Sequence, residues 1–426
     1  MNQGTINSEN PAASAQASAA APRVLEGVRV LDMSRVLAGP WAAQLLGDFG
    51  ADVIKLERPG VGDDSRSWEP AFRSEGPDGG RESAYFCSAN RGKRSVTLDF
   101  TTTEGAQTVK QLVASADVLI ENYKVGTLAR YGLGYDALAE INPRLIYLSV
   151  TGFGQTGPYR HRAGYDTIIQ AMGGMMSITG ERDGVPGAGP QRAGLPIIDL
   201  LTGVYAALGV MGALRHRDQT GRGQYIDLAL LDVHVSILSY FGLNYLVSGE
   251  VPVRTGSANP VTYPSGTFDC ADGQLVMITG NDAQFMRFAE VVGLPELAGD
   301  ERFLTSALRV RNRDLLHSLI GPKLMAQPAA HWMQVLEEIG VPCGPINDLA
   351  GVMSDPHVQS RGMVTQVMHS RLGAIPILAN PLRLSQAPMR YDVAPPVLGA
   401  HTDEVLKREV GLTDAQLARL RELKVI

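Results

Sequence analysis

Two periods of apolar and polar positions organise the first 150 residues. Short apolar runs at 28–33 (VRVLDM), 52–57 (DVIKLE), 95–98, 117–121 (DVLIE) and 144–150 (RLIYLSV) read as strands, and helical spacing fills 41–49, 103–114 and 135–141 between them. Pro40 suits a first helical position, and Gly50 marks a stop. Strands that alternate with helices of this length predict an α/β fold with a mostly parallel sheet, helices on both faces. Ligands of such sheets bind at the loops leaving the carboxyl ends of the strands.

After residue 225 a strand and a long apolar helix are predicted to about 248, and then the texture changes. Residues 251–266 (VPVRTGSANPVTYPSG) mark a boundary. Ala271-Asp272-Gly273 signals a hairpin, helices are expected at 282–293, 311–326 and 329–338, and strands near 372–384 lead back to the first domain. Thr402-Asp403 and Thr413-Asp414 are each expected to cap a helix.

The stretch 191–232 carries the sharpest feature. Asp199 follows an apolar run and opens a helix whose turns are small: Gly203, Ala206, Ala207, Gly209, Gly212, Ala213. Such a helix admits close packing, and Asp199 reads first as its N-cap. Asp166, in Gly164-Tyr165-Asp166-Thr167, invites the same reading.

Length and charge narrow the classes. At 426 residues, two domains are expected. A net charge of −6 argues against nucleic acid as partner. Cys87, Cys270 and Cys343 fit neither a disulfide framework nor a zinc pattern and suit a reducing cytoplasm, and the histidines lack metal-ligand spacing. No uninterrupted apolar run of about eighteen residues suggests a membrane helix, and the Ala/Ser-rich start has no apolar h-region.

Two glycine motifs resemble dinucleotide fingerprints. Gly132-Leu133-Gly134 has no strand before it, and Gly152-Phe153-Gly154 is followed by Pro158 rather than a helix, so nicotinamide binding is a weak reading. Arg58, the run Arg91-Gly92-Lys93-Arg94, and Arg130 all stand in segments that connect strands. They are either solvated surface charges or a cluster that grips a polyphosphate.

Taken in order, LEGVRVLDMSRVLAGPWAAQLLGDFGADVIKLERP, NRGKRSVTLDF, DVLIENY, NPRLIYLSVTGFGQTGP, LPIIDLLTG, TGRGQYIDLALLD and LGAHTDEVL resemble the class III CoA-transferases. That superfamily includes formyl-CoA transferase, carnitine CoA-transferase and α-methylacyl-CoA racemase. The resemblance runs from about residue 24 to the C-terminus. It implies a Rossmann-like large domain from 24–225 and 366–426, which follows residues 1–23, read as a disordered tail from their Ala/Ser/Asn/Gln composition. A linker helix (226–255), a small α+β domain (256–345) and a return linker (346–365) complete the chain, with two subunits interlocked as a homodimer.

The resemblance places the nucleophilic aspartate on Asp199. CoA contacts fall on Val36, Leu37, Arg58, Asn90, Arg91, Lys93, Arg94, Asn122, Tyr123 and Arg130, and the acyl-site loop on Gly256, Ser257, Ala258 and Asn259, running to Pro260. Asp166 is a second candidate acid. Leu37 stands where formyl-CoA transferase has glutamine, and the loop is not a run of glycines, which points to a larger or more apolar acyl group than formate or oxalate. The implied activity moves CoA from an acyl-CoA, for example succinyl-CoA, to a free carboxylic acid, with no permanently bound cofactor and no metal. A carboxylate can attack a thioester to give a mixed anhydride and then an aspartyl-CoA thioester, and a closing loop would protect the anhydride. A racemase is the nearest alternative, but Tyr165 occupies the position of its histidine; a non-catalytic CoA-binding protein is another.

Overall fold

The computed structural model describes residues 22–73, 80–389 and 391–426, so nearly all of the expected tail at 1–23 lies outside the described residues. The chain divides into two bodies. One takes the residues up to Ser149 with Gly203–Ile226 and Thr365–Ile426; the other takes Val150–Thr202 and Asp227–Val364.

The strands met first are β1 (Arg29–Asp32), β2 (Asp52–Glu57), a short antiparallel pair β3 (Ala71–Arg73) and β4 (Arg81–Ser83), β5 (Lys93–Thr97), β6 (Val118–Glu121), β7 (Ile146–Thr151) and β8 (Tyr225–Ala229). Six of them form one sheet in the order β5-β2-β1-β6-β7-β8. Its β1–β2, β1–β6, β2–β5 and β6–β7 pairs are parallel, with Val30 level with Val53 on one side and Val118 on the other. The central strands read as apolar runs because both of their faces are covered. Helices α1 (Ala38–Asp48), α2 (Ala84–Ala89), α3 (Thr103–Val113) and α4 (Tyr135–Ile141) lie within a residue or two of expectation, apart from the earlier start of α1 and the addition of α2. Thr102 caps α3 by accepting the Gly105 N–H at 3.0 Å, and Val109 and Leu112 enter a core with Leu31, Ile54, Val96 and Leu119. Emptying one such leucine site costs about 2–5 kcal/mol.

In the second body, α5 (Asp166–Met172) and α6 (Met175–Ile178) precede α7 (Ile197–Thr220), whose first turn belongs here and whose remainder belongs to the first body. α8 (Leu230–Ile237) and α9 (Ser239–Ser248) follow. The predicted hairpin is present as β9 (Ser265–Cys270) and β10 (Gly273–Ile278), with β11 (Cys343–Pro345) antiparallel on β10. α10 (Asp282–Val291) is capped by Asn281, and Phe285 and Phe288 enter a core with Phe268, Leu275, Leu316 and Trp332. β12 (Val364–His369) and β13 (Gly373–Leu378) pair near the expected return.

Several expectations are corrected. Residues 150–202 group with the middle of the chain, because Gly152 and Gly164 pack backbone to backbone and the Leu231 N–H binds the Gly152 carbonyl at 3.1 Å. A Cβ on Gly152 would stand 2.6 Å from the Gly164 Cα, so this glycine motif serves loop-on-loop packing. The single helix expected at 311–326 is two, Ser306–Arg311 and Arg313–Leu324, broken at Asn312. Thr402 is the first residue of its helix rather than its cap, and its hydroxyl accepts the Thr97 N–H instead, whereas Thr413 forms a full capping box. His401 is half-buried, and its Nδ1 accepts the Ser95 N–H at 3.2 Å. With 24 residues, α7 is long and apolar enough to cross a membrane by length and composition, contrary to the sequence reading. Ala206, Ala207, Val210 and Ala213 are nonetheless buried in the fold, and Gly203 brings α7 against Ala38 and Trp41 of α1.

Candidate active site

The first turn of α7 is where the two singled-out acids meet. Asp199 is its third residue, so its side chain is not the cap. That role belongs to Asp166, at the start of α5, whose Oδ2 accepts the Ile198 N–H at 2.8 Å and the Asp199 N–H at 3.2 Å. These are amides that a helix start leaves without intrahelical partners. Asp166 Oδ1 accepts from Gln170 Nε2 at 2.5 Å, and Gln170 Oε1 in turn accepts the Ala193 N–H at 2.8 Å. Gln170 is fully buried.

Burial first, and the neighbouring Asp166 carboxylate second, push the Asp199 carboxyl up to about 7. The helix terminus does not hold it as an ordinary surface carboxylate. His234 on α8 packs so tightly on Gly173 that a Cβ there would lie 2.2 Å from its Nδ1, and neither ring nitrogen has a partner among the described residues. Burial pulls this imidazole below its ordinary range, against the opposing charge of Asp166. Gln170 and His234 escaped the sequence reading. Helical spacing from Asp166 was the available signal for Gln170; His234 offered none.

A cavity of about 240 Å³ in the first body is lined by Ser34, Arg35, Lys55, Arg58, Asp63, Phe100, Tyr123 and Tyr131, among others. Its rim is the loop after β1. Val36 holds φ 71, a left-handed conformation that β-branched residues avoid. The Asp63 carboxylate fixes it by accepting the Val36 N–H at 3.2 Å. Asn122 clamps the same loop, accepting the Arg35 N–H at 2.9 Å and donating to the Arg35 carbonyl at 2.8 Å. The Arg35 guanidinium lies 5.1 Å from the Tyr123 ring centre, and Phe100 meets Tyr123 and Tyr131 edge-on. Arg58 is exposed at this cavity and makes no ion pair among the described residues. Leu37 is buried before α1; Arg130 is exposed, with its Nη2 3.4 Å from the Thr127 hydroxyl.

The run 90–94 is not a cluster of free charge. Lys93 Nζ is fully buried and donates to Asp32 Oδ2, the Pro40 carbonyl and Asn90 Oδ1 at 2.8–2.9 Å. Arg91 forks onto Asp48, and Arg94 forks onto Asp52. β5 is the edge strand of its sheet, yet Lys93 is fully buried and Arg91 nearly so, and a buried cation requires an internal carboxylate. Lys55 completes the network through Asp63 at 3.1 Å and the Ser34 carbonyl at 2.9 Å. Burial pulls Lys93 down to about 8, while Asp32, Asp63 and Glu57 outweigh burial at Lys55 and hold its ammonium above the ordinary lysine range.

In the second body, Gly256 takes φ 62 and donates to the Gly180 carbonyl at 3.1 Å. The Thr255 hydroxyl donates to the Ala258 carbonyl at 2.7 Å, the Ser257 hydroxyl accepts the Thr267 N–H at 3.3 Å, and the Asn259 N–H binds the Ser265 carbonyl at 2.9 Å. The expected acyl-site loop is thus a tied structure. No group of three or more metal-ligating side chains occurs among the described residues.

The model of CoA-transferase family III matches residues 25–402. The chain belongs to that family. It is 44% identical over 382 residues to a succinate–glutarate CoA-transferase of Agrobacterium fabrum, covering 90% of this chain and 94% of the relative. Human succinyl-CoA:glutarate CoA-transferase is 40% identical over 402 residues, 94% and 90% of the two chains. A succinyl-CoA–D-citramalate CoA-transferase of Chloroflexus aurantiacus is 39% identical, covering 95% and 98%. Among solved structures, a CaiB/BaiF family protein from Brucella suis matches with a TM-score of 0.80 at 44% identity, over 91% of this chain and all of that one. This family III protein is therefore a CoA-transferase with the mixed α/β fold that its strand–helix alternation predicts.

Proposed function

We propose that this enzyme moves CoA from succinyl-CoA to a small dicarboxylic acid, with Asp199 as the covalent nucleophile. The single observation that carries the assignment is the Asp166–Asp199 pair, which seats one carboxylate at a helix start by means of another. The substrate class is supported by the names of its relatives, in which donor and acceptor are dicarboxylic.

In the proposed cycle an Asp199 Oδ attacks the thioester carbonyl, the C–S bond breaks, and CoA leaves as the thiolate. That thiolate attacks the aspartyl carbonyl of the anhydride, freeing succinate and leaving an aspartyl-CoA thioester. The acceptor carboxylate displaces the thiolate to form a second anhydride. The thiolate then attacks the acceptor carbonyl, releasing the new thioester and regenerating Asp199. The burial that strips solvation from Asp199 also raises its carboxyl to about 7, which leaves a carboxylate fraction at neutral pH. The cavity beside Arg58 suits the phosphates and adenine of CoA, with Arg58 as the uncommitted cation and Tyr123, Phe100 and Tyr131 as apolar walls. His234 has no exposure, which counts against its use as the base of a racemase.

A homodimer is part of the same proposal. α9 has no buried residue, and Leu243, Leu246, Val247, Val251 and Val253 are all exposed, an apolar stretch that a second copy would cover. The decisive experiment is incubation with succinyl-CoA, trapping with hydroxylamine, and mass spectrometry of the peptide containing Asp199. A hydroxamate at Asp199 is expected; an unmodified Asp199 during active transfer overturns the mechanism.

A further inference from the structure

A dicarboxylic acyl group brings a free carboxylate toward Asp199, which already has Asp166 beside it. In partly buried surroundings a third negative charge is repelled unless a cation meets it. The segment 150–202 offers Arg160, Arg162, Arg182 and Arg192. Arg182 is paired with Asp314 at 2.7 Å, Arg160 Nε contacts the His161 ring at 3.1 Å, and Arg162 lies over the Tyr159 ring.

Arg192 differs in two ways. Its Nη1 donates to the Ala193 and Gly194 carbonyls at 3.0 and 3.2 Å, while its Nε and Nη2 have no partner and the side chain no ion pair among the described residues. The open fork is the edge that binds a carboxylate with two parallel bonds. Its base is also fixed to the nucleophile. The adjoining Ala193 N–H is held by Gln170, Gln170 holds Asp166, and Asp166 holds the Asp199 N–H. One hydrogen-bonded chain therefore positions both an acid that reacts and a cation that is free.

We propose that Arg192 selects dicarboxylic substrates by pairing with the carboxylate distal to the reacting carbonyl. This rests on the reading of Asp199 as nucleophile. A neutral acyl group of the same length would gain nothing from the residue.

The test compares succinyl-CoA with butyryl-CoA, its uncharged counterpart in length, in the wild-type enzyme, Arg192→Gln and Arg192→Lys, with hydroxylamine trapping at Asp199 run in parallel. Arg192→Gln is expected to lower kcat/KM for succinyl-CoA by about 10–100-fold, the scale of a lost charge-assisted pair. It should leave butyryl-CoA unchanged or improved, with Arg192→Lys between the two because a point charge lacks the fork. Equal losses on both esters, or an unchanged ratio while Asp199 is still acylated, overturn the role of Arg192 alone. Absence of Asp199 acylation in every variant overturns the nucleophile reading and this assignment with it. Because Arg192 is exposed, unchanged circular dichroism is expected and shows that the fold is intact.

Discussion

The Asp166 carboxylate accepts the backbone N–H of Asp199 at 3.2 Å, so one acid seats the other while also raising its proton affinity. The same contact orients the helix start and adds to burial, the larger cause, in raising the Asp199 carboxyl.

Removal of the nucleophile should be nearly complete in its effect. Asp199→Ala is expected to lower kcat for CoA transfer by at least ~10³-fold with thermal stability retained, the scale seen when a covalent nucleophile is deleted. A direct assay of succinyl-CoA consumption with glutarate as acceptor checks it, and an Asp199→Ala enzyme of near wild-type rate would refute the role.

The pH profile follows from the sign of the shift. In the proposed cycle Asp199 attacks as the carboxylate, so kcat/KM should rise with pH through about 7. Asp166→Asn removes the second cause of the elevation and leaves burial, so the acid limb should move to lower pH. A limb that stays in place would show that the Asp166 charge does not reach Asp199.

The same shift makes a stability statement. A carboxyl whose folded pKa lies above its ordinary 3.8 binds its proton more tightly in the folded chain, so its contribution is present in full below about 4 and is lost as pH rises through about 7. Asp199→Asn should therefore gain Tm relative to the wild type as pH increases from 5 to 8. Melting curves at the two ends of that range decide it.

Two arginines separate ligand binding from folding. Arg58→Ala is expected to raise KM for the CoA ester about 10-fold with little change in kcat, since it would remove the charge-assisted contact to a phosphate proposed for it. Arg91→Ala leaves the Asp48 carboxylate buried without its cation, with only the Asn380 amide still donating to it, and should instead cost about 3–5 kcal/mol of stability. Paired steady-state kinetics and denaturant melts should show the two effects in opposite columns.

Close packing of α7 on α1 can be read from two glycines. A Cβ at position 203 would meet Trp41 Cδ1 at 2.7 Å and the Ala38 carbonyl at 2.9 Å, whereas at position 212 nothing lies within 4 Å. Gly203→Ala should destabilise by about 1–3 kcal/mol, and Gly212→Ala should be neutral or stabilise by up to about 1 kcal/mol. Tm measured for the two variants side by side tests the contact.

The sheet and its helices were legible because apolar runs and helical spacing are local properties; β2 appears at the bounds its residues predict. Asp199 is singled out as a candidate by its motif. What escaped depended on contacts distant in sequence. Nothing in Lys93 announces that Asp32, 61 positions earlier, would bury and neutralise it. Likewise Asp199 was expected to cap its own helix, and only the fold supplies Asp166 from 33 positions away. The apolar run within α7 reads as too short for a membrane helix because Gly, Thr and Tyr interrupt the run without interrupting a helix that is held by packing.

The buried set Asp32, Lys55, Lys93 and Asp63 has a bearing on how such a protein can diverge. Loss of any one member strands a charge in the interior, so descendants can alter that set only through rare concerted changes. Arg192 is exposed and tied only to neighbouring carbonyls, so it can be exchanged in a single mutational step. If Arg192 selects the acid as proposed, scaffold and selectivity drift on separate clocks, and a lineage can try new acids while its buried charge network stays frozen.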